Sequence, residues 1–349
     1  MPSDGAPRVG WGRGLLRGFV RGASDGSIEA PDNLRWAPMR VRVSLKLGLL
    51  LSSALFPGCA APVACPPPSE AALTLRQLAL PGPSIGVSTL VTLPDGARLL
   101  VDVGNDAHDA LIREATGGAV DFLVVTHGDE DHAGGLDQLV DVVGDARPVD
   151  TLGVHDLGSG VTLTVFLAQG VLALPEGPLD LRGEVPELDR SENARSVAGA
   201  LRFLDFVWVF AGDLTGGGKD TPDIESAVAA RGDALLDPGS ASLLSLSHHG
   251  ITSSNQGPWL DWLLPDDGVR RDALVGSSGA YLSAPAGDVL DAVGPRLQGG
   301  AVWTGEPGAL TPKDHPHLRF TDADVWVSVD AAGAVTICGE PRDPGGSLD

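Results

Sequence analysis

Residues 126–132 read THGDEDH and carry the strongest structural signal in the chain. They follow the apolar run DFLVV at 121–125, which has the length and β-branching of a buried strand. Two glycines and LDQLV at 136–140 come next, a pattern that indicates the start of a helix. Two imidazoles and at least two carboxylates therefore share one strand-to-helix loop. Nitrogen and oxygen donors at this density favour a site for divalent metal ions.

Two later segments end apolar runs with the same kinds of side chain. The run VWVFA at 207–211 leads into a carboxylate at Asp213, and LLSLS at 243–247 leads into His248 and His249. Because strand ends meet at one edge of an α/β fold, we expect these side chains to converge on the first loop. A turn rich in Asp, Glu and Gly can be purely structural. The downstream carboxylate and imidazoles favour the metal site.

These motifs resemble the metallo-β-lactamase superfamily, whose signature HxHxDH precedes later His, Asp and His ligands. Within it the chain is similar to the hydrolase domain of the ComEC-type competence proteins, which carry HxDxDHxGG, then GDL, then HHGS. The matching residues here are His127, Asp129, Asp131, His132, Gly134, Gly135, Asp213, His248 and His249, with Ile251 where the serine would be. The resemblance spans about residues 73–337. It implies an α/β (α+β) fold, the four-layer αββα sandwich.

Other segments match the family to different degrees. The strand LLVDVG at 99–104 resembles the family strand before the motif, and Asn193 and Ser196 match its Asn-x-x-Ser. The segment GAYLSAP at 279–285 lacks the histidine that the family commonly has there, and GVST at 86–89 replaces a Gly-Asp pair. If that histidine supports catalysis in relatives, the chemistry here is weaker or differently arranged.

The resemblance and the spacing imply seven metal-binding side chains, namely His127, Asp129, Asp131, His132, Asp213, His248 and His249. The first two would hold one ion and the next two a second, with Asp213 bridging both. One of the paired histidines would complete the second site. Two ions could then share a metal-activated hydroxide as the nucleophile. Asp131, His248 and His249 are the expected catalytic residues, and the histidine that binds no metal would protonate the leaving group.

The expected cofactor is Zn²⁺, as one or two ions, because several imidazoles remain in the donor set. Asp129 stands where most of the superfamily has a histidine, and a carboxylate is a harder ligand, so Mn²⁺ is the alternative. The first site also lacks a third imidazole. His155 is the candidate between the motifs, although a solvated loop histidine is the commoner interpretation.

We expect residues 1–70 to form a leader and Pro-rich linker, and residues 71–349 the hydrolase domain. Met39 begins a basic segment, followed by a short apolar run at 47–56 and a small-residue exit, as in a secretory signal peptide. An ordinary apolar helix is the alternative. Cys59 resembles a lipoprotein cleavage site and lipid anchor. We therefore expect a secreted protein or a membrane-anchored lipoprotein of a bacterial envelope, without a transmembrane channel.

Two cysteines, Cys65 and Cys338, remain if Cys59 is lipidated. They flank the predicted domain and could pair in an oxidising compartment, while two free thiols are the alternative. The net charge is −22, and without residues 1–58, which hold eight basic and four acidic side chains, it is −26. A surface this acidic repels polyanions and argues against tight nucleic-acid binding.

Three functions remain open from the sequence. The first is a metal-dependent hydrolase acting on phosphodiesters. The second is a hydrolase of the same fold acting on a small-molecule lactone, ester or amide, which the acidic charge favours. The third is a metal-binding surface module that has lost turnover. Fold alone does not choose among them.

Overall fold

The computed structural model describes residues 61–81, 85–185, 187–218, 221–276 and 283–342. The expected start at Met39, the expected anchor at Cys59 and the tyrosine of the 279–285 segment lie outside these residues.

The strands in these residues are numbered in chain order. They are β1 Leu73–Gln77, β2 Thr89–Thr92, β3 Arg98–Val101, β4 Phe122–Val124, β5 Arg147–Pro148, β6 Gly153–Gly158, β7 Val161–Ala168, β8 Val171–Leu174, β9 Gly177–Asp180, β10 Ala198–Phe203, β11 Phe206–Phe210, β12 Leu243–Ser245, β13 Asp272–Val275, β14 Val302–Thr304, β15 Leu318–Phe320, β16 Val325–Val329, β17 Val335–Ile337 and β18 Glu340–Arg342.

The α-helices are α1 Asp109–Thr116, α2 Glu130–Ala133, α3 Val140–Val143, α4 Ile224–Ala229, α5 Gly232–Leu235, α6 Gly257–Leu263 and α7 Gly287–Val293. Short 3₁₀ turns occur at Asp106–His108, Leu181–Gly183, Leu188–Arg190, Asn193–Arg195, His248–Gly250 and Gly294–Leu297.

The strands form two sheets. The first has the order β18-β17-β16-β1-β2-β3-β4-β5, and the second has the order β15-β14-β13-β12-β11-β10-β7-β8-β9, with β6 also paired to β7. Antiparallel pairing dominates the outer part of the first sheet, whereas β3 and β4 are parallel. In the second sheet β11 to β15 are all parallel neighbours.

Three apolar clusters show how the layers stack. One lies between the sheets and includes Leu75, Trp208 and Val327. A second packs α1 and α3 on the outer face of the first sheet, around Ile112. A third packs α4, α6 and α7 on the outer face of the second sheet, around Trp259. The expected αββα sandwich is therefore confirmed.

Residue patterns account for the strand placement. β1 and β16 alternate buried and partly exposed residues, as expected for strands with one face on the core. β11 is buried at every position because helices cover its other face. The pairing of β1 with β16 joins segments about 250 residues apart and is not visible in either segment alone.

The helix after the motif begins earlier than the sequence predicts. It starts at Glu130, inside the motif, rather than after Gly134 and Gly135. Gly135 does not mark the start of the helix. It is required by close packing, since a Cβ at this position would lie 2.5 Å from the Val103 carbonyl oxygen. As a result, the last carboxylate and imidazole of the motif lie on one helical turn. The apolar run at 207–211 overlaps β11, which forms a hairpin with β10, and Leu204 lies in the turn of that hairpin at φ +53°.

The first described residues are attached to β15 and to the turn between β17 and β18. The Val63 N–H donates to the Phe320 carbonyl at 2.7 Å, and Cys65 forms a disulfide with Cys338. The structure thus contains the pairing that the sequence left open. The bond closes a segment of 273 residues, so it restricts the unfolded chain strongly.

We predict that reduction of this disulfide lowers the free energy of unfolding by about 2–4 kcal/mol, chiefly by releasing the unfolded chain. Urea denaturation with and without reductant measures the effect. The Cys65→Ser variant should match the reduced wild type and should not respond to reductant. A wild-type midpoint that is the same in both conditions would contradict the prediction.

Candidate metal centre

The site lies where strands of both sheets end. Asp102 follows β3, and residues 126–129 connect the parallel neighbour β4 to α2. Asp213 follows β11, and the paired histidines follow its parallel neighbour β12. Convergence at these strand ends brings together residues far apart in the sequence.

Four of the expected residues form a compact group: Asp131, His132, Asp213 and His249. One ligand atom from each lies within 4.8 Å of all the others. The His132 Nε2 atom is 3.0 Å from Asp213 Oδ1, and His249 Nε2 is 3.0 Å from Asp131 Oδ2. His132, Asp213 and His249 are buried and Asp131 is partly exposed. This group contains the residues expected for the second ion.

His127 and Asp129 lie beside this group. Their Nε2 and Oδ2 atoms are 3.6 Å apart, and the His127 ring centroid is 4.2 Å from that of His132. Asp129 occupies the N-cap position of α2 but makes no side-chain capping bond. Its carboxylate is therefore oriented toward His127 rather than toward the helix.

Asp102 holds the motif loop from the neighbouring strand. Its Oδ1 accepts a hydrogen bond from the Thr126 N–H at 2.7 Å, and its Oδ2 lies 2.7 Å from His132 Nδ1. The Thr126 hydroxyl donates to the same Oδ2 at 2.8 Å. An acceptor at Nδ1 favours the tautomer in which Nε2 of His132 carries a lone pair toward the group.

The paired histidines diverge because both have left-handed backbones, with φ of +50° at His248 and +52° at His249. His249 is directed into the four-residue group. His248 is directed beside it, where its Nε2 lies 3.2 Å from Asn193 Nδ2 and 3.6 Å from Asp213 Oδ2. Its Nδ1 lies 3.3 Å from the Ser253 hydroxyl, and 12% of its side chain is exposed.

Burial and neighbouring charges have opposite effects on the pKa values of Asp213 and His132. Burial would raise the pKa of Asp213, but the imidazoles of His132 and His249 outweigh it and hold that pKa well below its usual range. Burial would lower the pKa of His132, but Asp213 and Asp102 raise it well above its usual value. Burial also lowers the pKa of His248. The opposite charges of these carboxylates and imidazoles therefore stabilise each other within the group.

The donor set fits a divalent metal ion. The Nε2 atom of His127 is buried and makes no hydrogen bond within the described part of the chain, and the buried Nε2 atom of His132 has its ion-pair contact with Asp213. Buried polar atoms of this kind need an explanation, and a cation supplies one. Imidazole nitrogens and carboxylate oxygens match Zn²⁺, and the share of carboxylates also suits Mn²⁺.

Other residues singled out in the sequence lie elsewhere. His155 is on β6, partly out in solvent, with its Nε2 2.7 Å from the Thr151 carbonyl. Ser196 accepts a hydrogen bond from the Asp213 N–H at 3.2 Å and so supports the group from behind. The sequence did not predict a role for Thr126, and its position as the first residue of the 126–132 motif is the signal that identifies it.

A separate carboxylate lies buried behind the site. Glu225 on α4 accepts hydrogen bonds from the N–H groups of Asn255 and Gln256, both at 2.8 Å. Burial raises its pKa to about 8, the neighbouring Asp223 carboxylate acts in the same direction, and the two N–H donors and the Ser247 hydroxyl partly oppose the shift.

We predict that Asp102→Asn weakens Zn²⁺ binding about 10- to 100-fold, the range found for partners of metal-bound histidines. An amide nitrogen at the Oδ2 position would favour the other tautomer of His132, whose Nε2 carries a proton. Competition with a chromophoric chelator measures the affinity. Equal Zn²⁺ affinity in a folded variant would contradict this role for Asp102.

Glu225 should make stability depend on pH. Between pH 5 and 8 the folded protein keeps a proton that the unfolded chain has lost, so the free energy of unfolding falls as the pH rises. Each unit of pKa shift corresponds to about 1.4 kcal/mol, so the fall amounts to at most a few kcal/mol. Denaturation across this range should show a shallower fall in Glu225→Gln. Identical slopes in both proteins would refute the shift.

Comparison with known proteins identifies the fold family. No curated protein matches the sequence. Similar solved structures include a mutant of the CmlA beta-hydroxylase (15% identity, 68% of this chain, TM-score 0.39), of which this chain spans about half, or 53%. A diphosphatase from the PhnP family (13% identity, 73% of this chain and 96% of that chain, TM-score 0.39) is another. The metallo-beta-lactamase fold protein YhfI from Bacillus subtilis (11% identity, 68% of this chain and 98% of that chain, TM-score 0.39) is a third.

The sequence profile of the metallo-beta-lactamase superfamily matches residues 81–264, more than half of the chain. The protein belongs to the metallo-beta-lactamase superfamily.

Proposed function

We propose that the protein is a metal-dependent hydrolase related to the ComEC-type hydrolase domains. The observation that carries the proposal is the group of Asp131, His132, Asp213 and His249, whose ligand atoms lie within 4.8 Å of one another. Four such side chains from three separate strand ends have no structural need to meet, since ion pairs at this burial cost desolvation.

This group would hold one Zn²⁺ or Mn²⁺ ion. His127 and Asp129, whose Nε2 and Oδ2 atoms are 3.6 Å apart, would hold a second ion beside the first. Bound ions would act as Lewis acids and lower the pKa of water.

The remaining side chains have distinct tasks. Asp102 fixes the tautomer of His132. His248 is the imidazole of the pair that stands outside the four-residue group, and its partial exposure lets it contact a substrate. Asn193 and Ser253 contact its two ring nitrogens and so hold the ring plane. We assign His248 to the leaving group and His249 to the metal.

Phosphodiesters are the first substrate class to test, because that is the chemistry that the resemblance to the ComEC-type domains implies. The acidic charge favours a second class, the neutral lactones, esters and amides. At the site itself, the Glu192 carboxylate accepts from the Gly128 N–H and pairs with Arg195, and the Asp129 side chain is 45% exposed. An anionic substrate would meet these carboxylates, whereas a neutral substrate would not be repelled.

Export and a lipid anchor at Cys59 remain part of the proposal. The disulfide between Cys65 and Cys338 supports an oxidising compartment. Each helix in the described ranges is too short or too polar to cross a lipid bilayer. Globomycin-sensitive processing in a bacterial host, with Cys59→Ala as the control, tests the anchor.

His248→Ala and His249→Ala should have different effects. We predict that His249→Ala loses metal, because the group loses one of its four ligands. His248→Ala should keep metal and lose turnover about 10²- to 10⁴-fold, the usual contribution of a proton donor. Elemental analysis and steady-state kinetics on both variants separate the roles. Equal metal content and activity in both would refute the assignment.

A substrate screen tests the function. The Zn²⁺- and Mn²⁺-loaded protein is assayed against bis-p-nitrophenyl phosphate, a lactone, an ester and an amide, with Asp213→Ala as the control. Phosphodiester turnover lost in the control supports the first class, and turnover of neutral acyl substrates supports the second. Metal binding without turnover would reject hydrolysis and leave a binding module.

A further inference from the structure

The paired histidines lie on a loop, residues 247–255, that we call the histidine loop. Three successive residues in it, His248, His249 and Gly250, have φ of +50°, +52° and +69°. Side chains with a Cβ disfavour this left-handed region. Contacts outside the turn must therefore hold it in place.

The side chain of Asn255 closes the neck of the histidine loop. Its Oδ1 accepts from the Ser247 N–H at 3.0 Å, and its Nδ2 donates to the Ser247 carbonyl at 2.9 Å. Asn255 is 3% exposed, so water does not compete for these bonds. Ser247 directly precedes His248. The two bonds therefore fix the residue from which the histidine turn starts.

Asn255 is itself held from behind. Its N–H and that of Gln256 donate to the two carboxylate oxygens of Glu225, both at 2.8 Å. Glu225 lies on α4 and is fully buried. The position of the Asn255 side-chain amide therefore depends on α4 as well as on the histidine loop.

The histidine loop is also joined to the strand end that carries Asp213. The His248 N–H donates to the Gly212 carbonyl at 3.0 Å, and the Ser254 hydroxyl donates to the Leu214 carbonyl at 2.7 Å. The two acceptors, Gly212 and Leu214, lie on either side of Asp213. A shift of the loop would thus change the distance between His249 and Asp213.

We infer that Asn255 is a positioning residue of the metal centre: its contacts with Ser247 set where His249 meets Asp131 and Asp213. The inference rests on the proposed function, because positioning of His249 matters only at a site that binds metal. Side chains that orient metal ligands typically change metal affinity 10- to 100-fold when replaced.

The test uses Asn255→Gly in the full chain. Glycine accepts the φ of +64° at this position and keeps the backbone bonds to Glu225, so the variant removes the amide contacts alone. We expect Co²⁺ affinity to fall at least 10-fold and the visible absorption bands of bound Co²⁺ to change. The unfolding midpoint of the metal-free protein is measured in parallel.

Val327→Ala is the matched control. Val327 is fully buried between the sheets, and its truncation lowers the unfolding midpoint without contact to the histidine loop. Its Co²⁺ affinity and spectrum should equal those of the wild type. A purely structural Asn255 would give the same pattern in Asn255→Gly, namely a lower midpoint with wild-type affinity and spectrum, and that result would overturn the inference.

The outcomes also separate this inference from the function on which it rests. A wild-type protein that binds no Co²⁺ overturns the proposed function and the inference with it. If the wild type binds Co²⁺ and Asn255→Gly binds it with the same affinity and spectrum, the inference alone is overturned. If Asn255→Gly does not fold, Asn255→Asp replaces it, since it keeps the acceptor for Ser247 N–H and loses the donor. Co²⁺ affinity should fall several-fold, and an unchanged value overturns the inference.

Discussion

The buried carboxylate of Asp102 fixes the geometry on which the site depends. One oxygen holds the Thr126 N–H at the start of the motif loop, and the other lies 2.7 Å from His132 Nδ1 in α2. One side chain on β3 therefore sets both the path of the loop and the orientation of a ligand. Removing it would leave a buried N–H and a buried imidazole without their acceptor, and both losses are costly in free energy.

Ligands from two sheets have to meet, so the sandwich itself determines the group. Asp131 and His132 belong to the first sheet's side and Asp213 and His249 to the second. The apolar cluster between the sheets, which includes Trp208, holds these two halves at a fixed separation. The parallel pairs β3–β4 and β11–β12 then place the four strand ends at one edge. Packing between the sheets thus controls the distances between the ligands.

Local patterns predicted part of this arrangement. The motif at 126–132 and the carboxylate at 213 follow from apolar runs that end in polar side chains, a signal contained in a few adjacent residues. The divergence of His248 and His249 could not be predicted, because it depends on left-handed backbone angles held by tertiary contacts. Asn255 and Glu225 were equally invisible, since a single amide and a single carboxylate have no spacing that distinguishes them from surface residues. The predicted start of α2 was wrong because Gly135 is required by its close packing against Val103 and does not mark a helix end.

The strand ends that carry Asp131, His132, Asp213 and His249 converge on the proposed metal centre. Diffraction from crystals grown with Zn²⁺, collected on both sides of the zinc absorption edge, tests it most directly. We expect an anomalous peak within bonding distance of His132 Nε2, His249 Nε2 and a carboxylate oxygen of Asp213, with any second peak beside His127 and Asp129. Zinc bound only at other sites, with the ion pair between His132 and Asp213 intact, would contradict it.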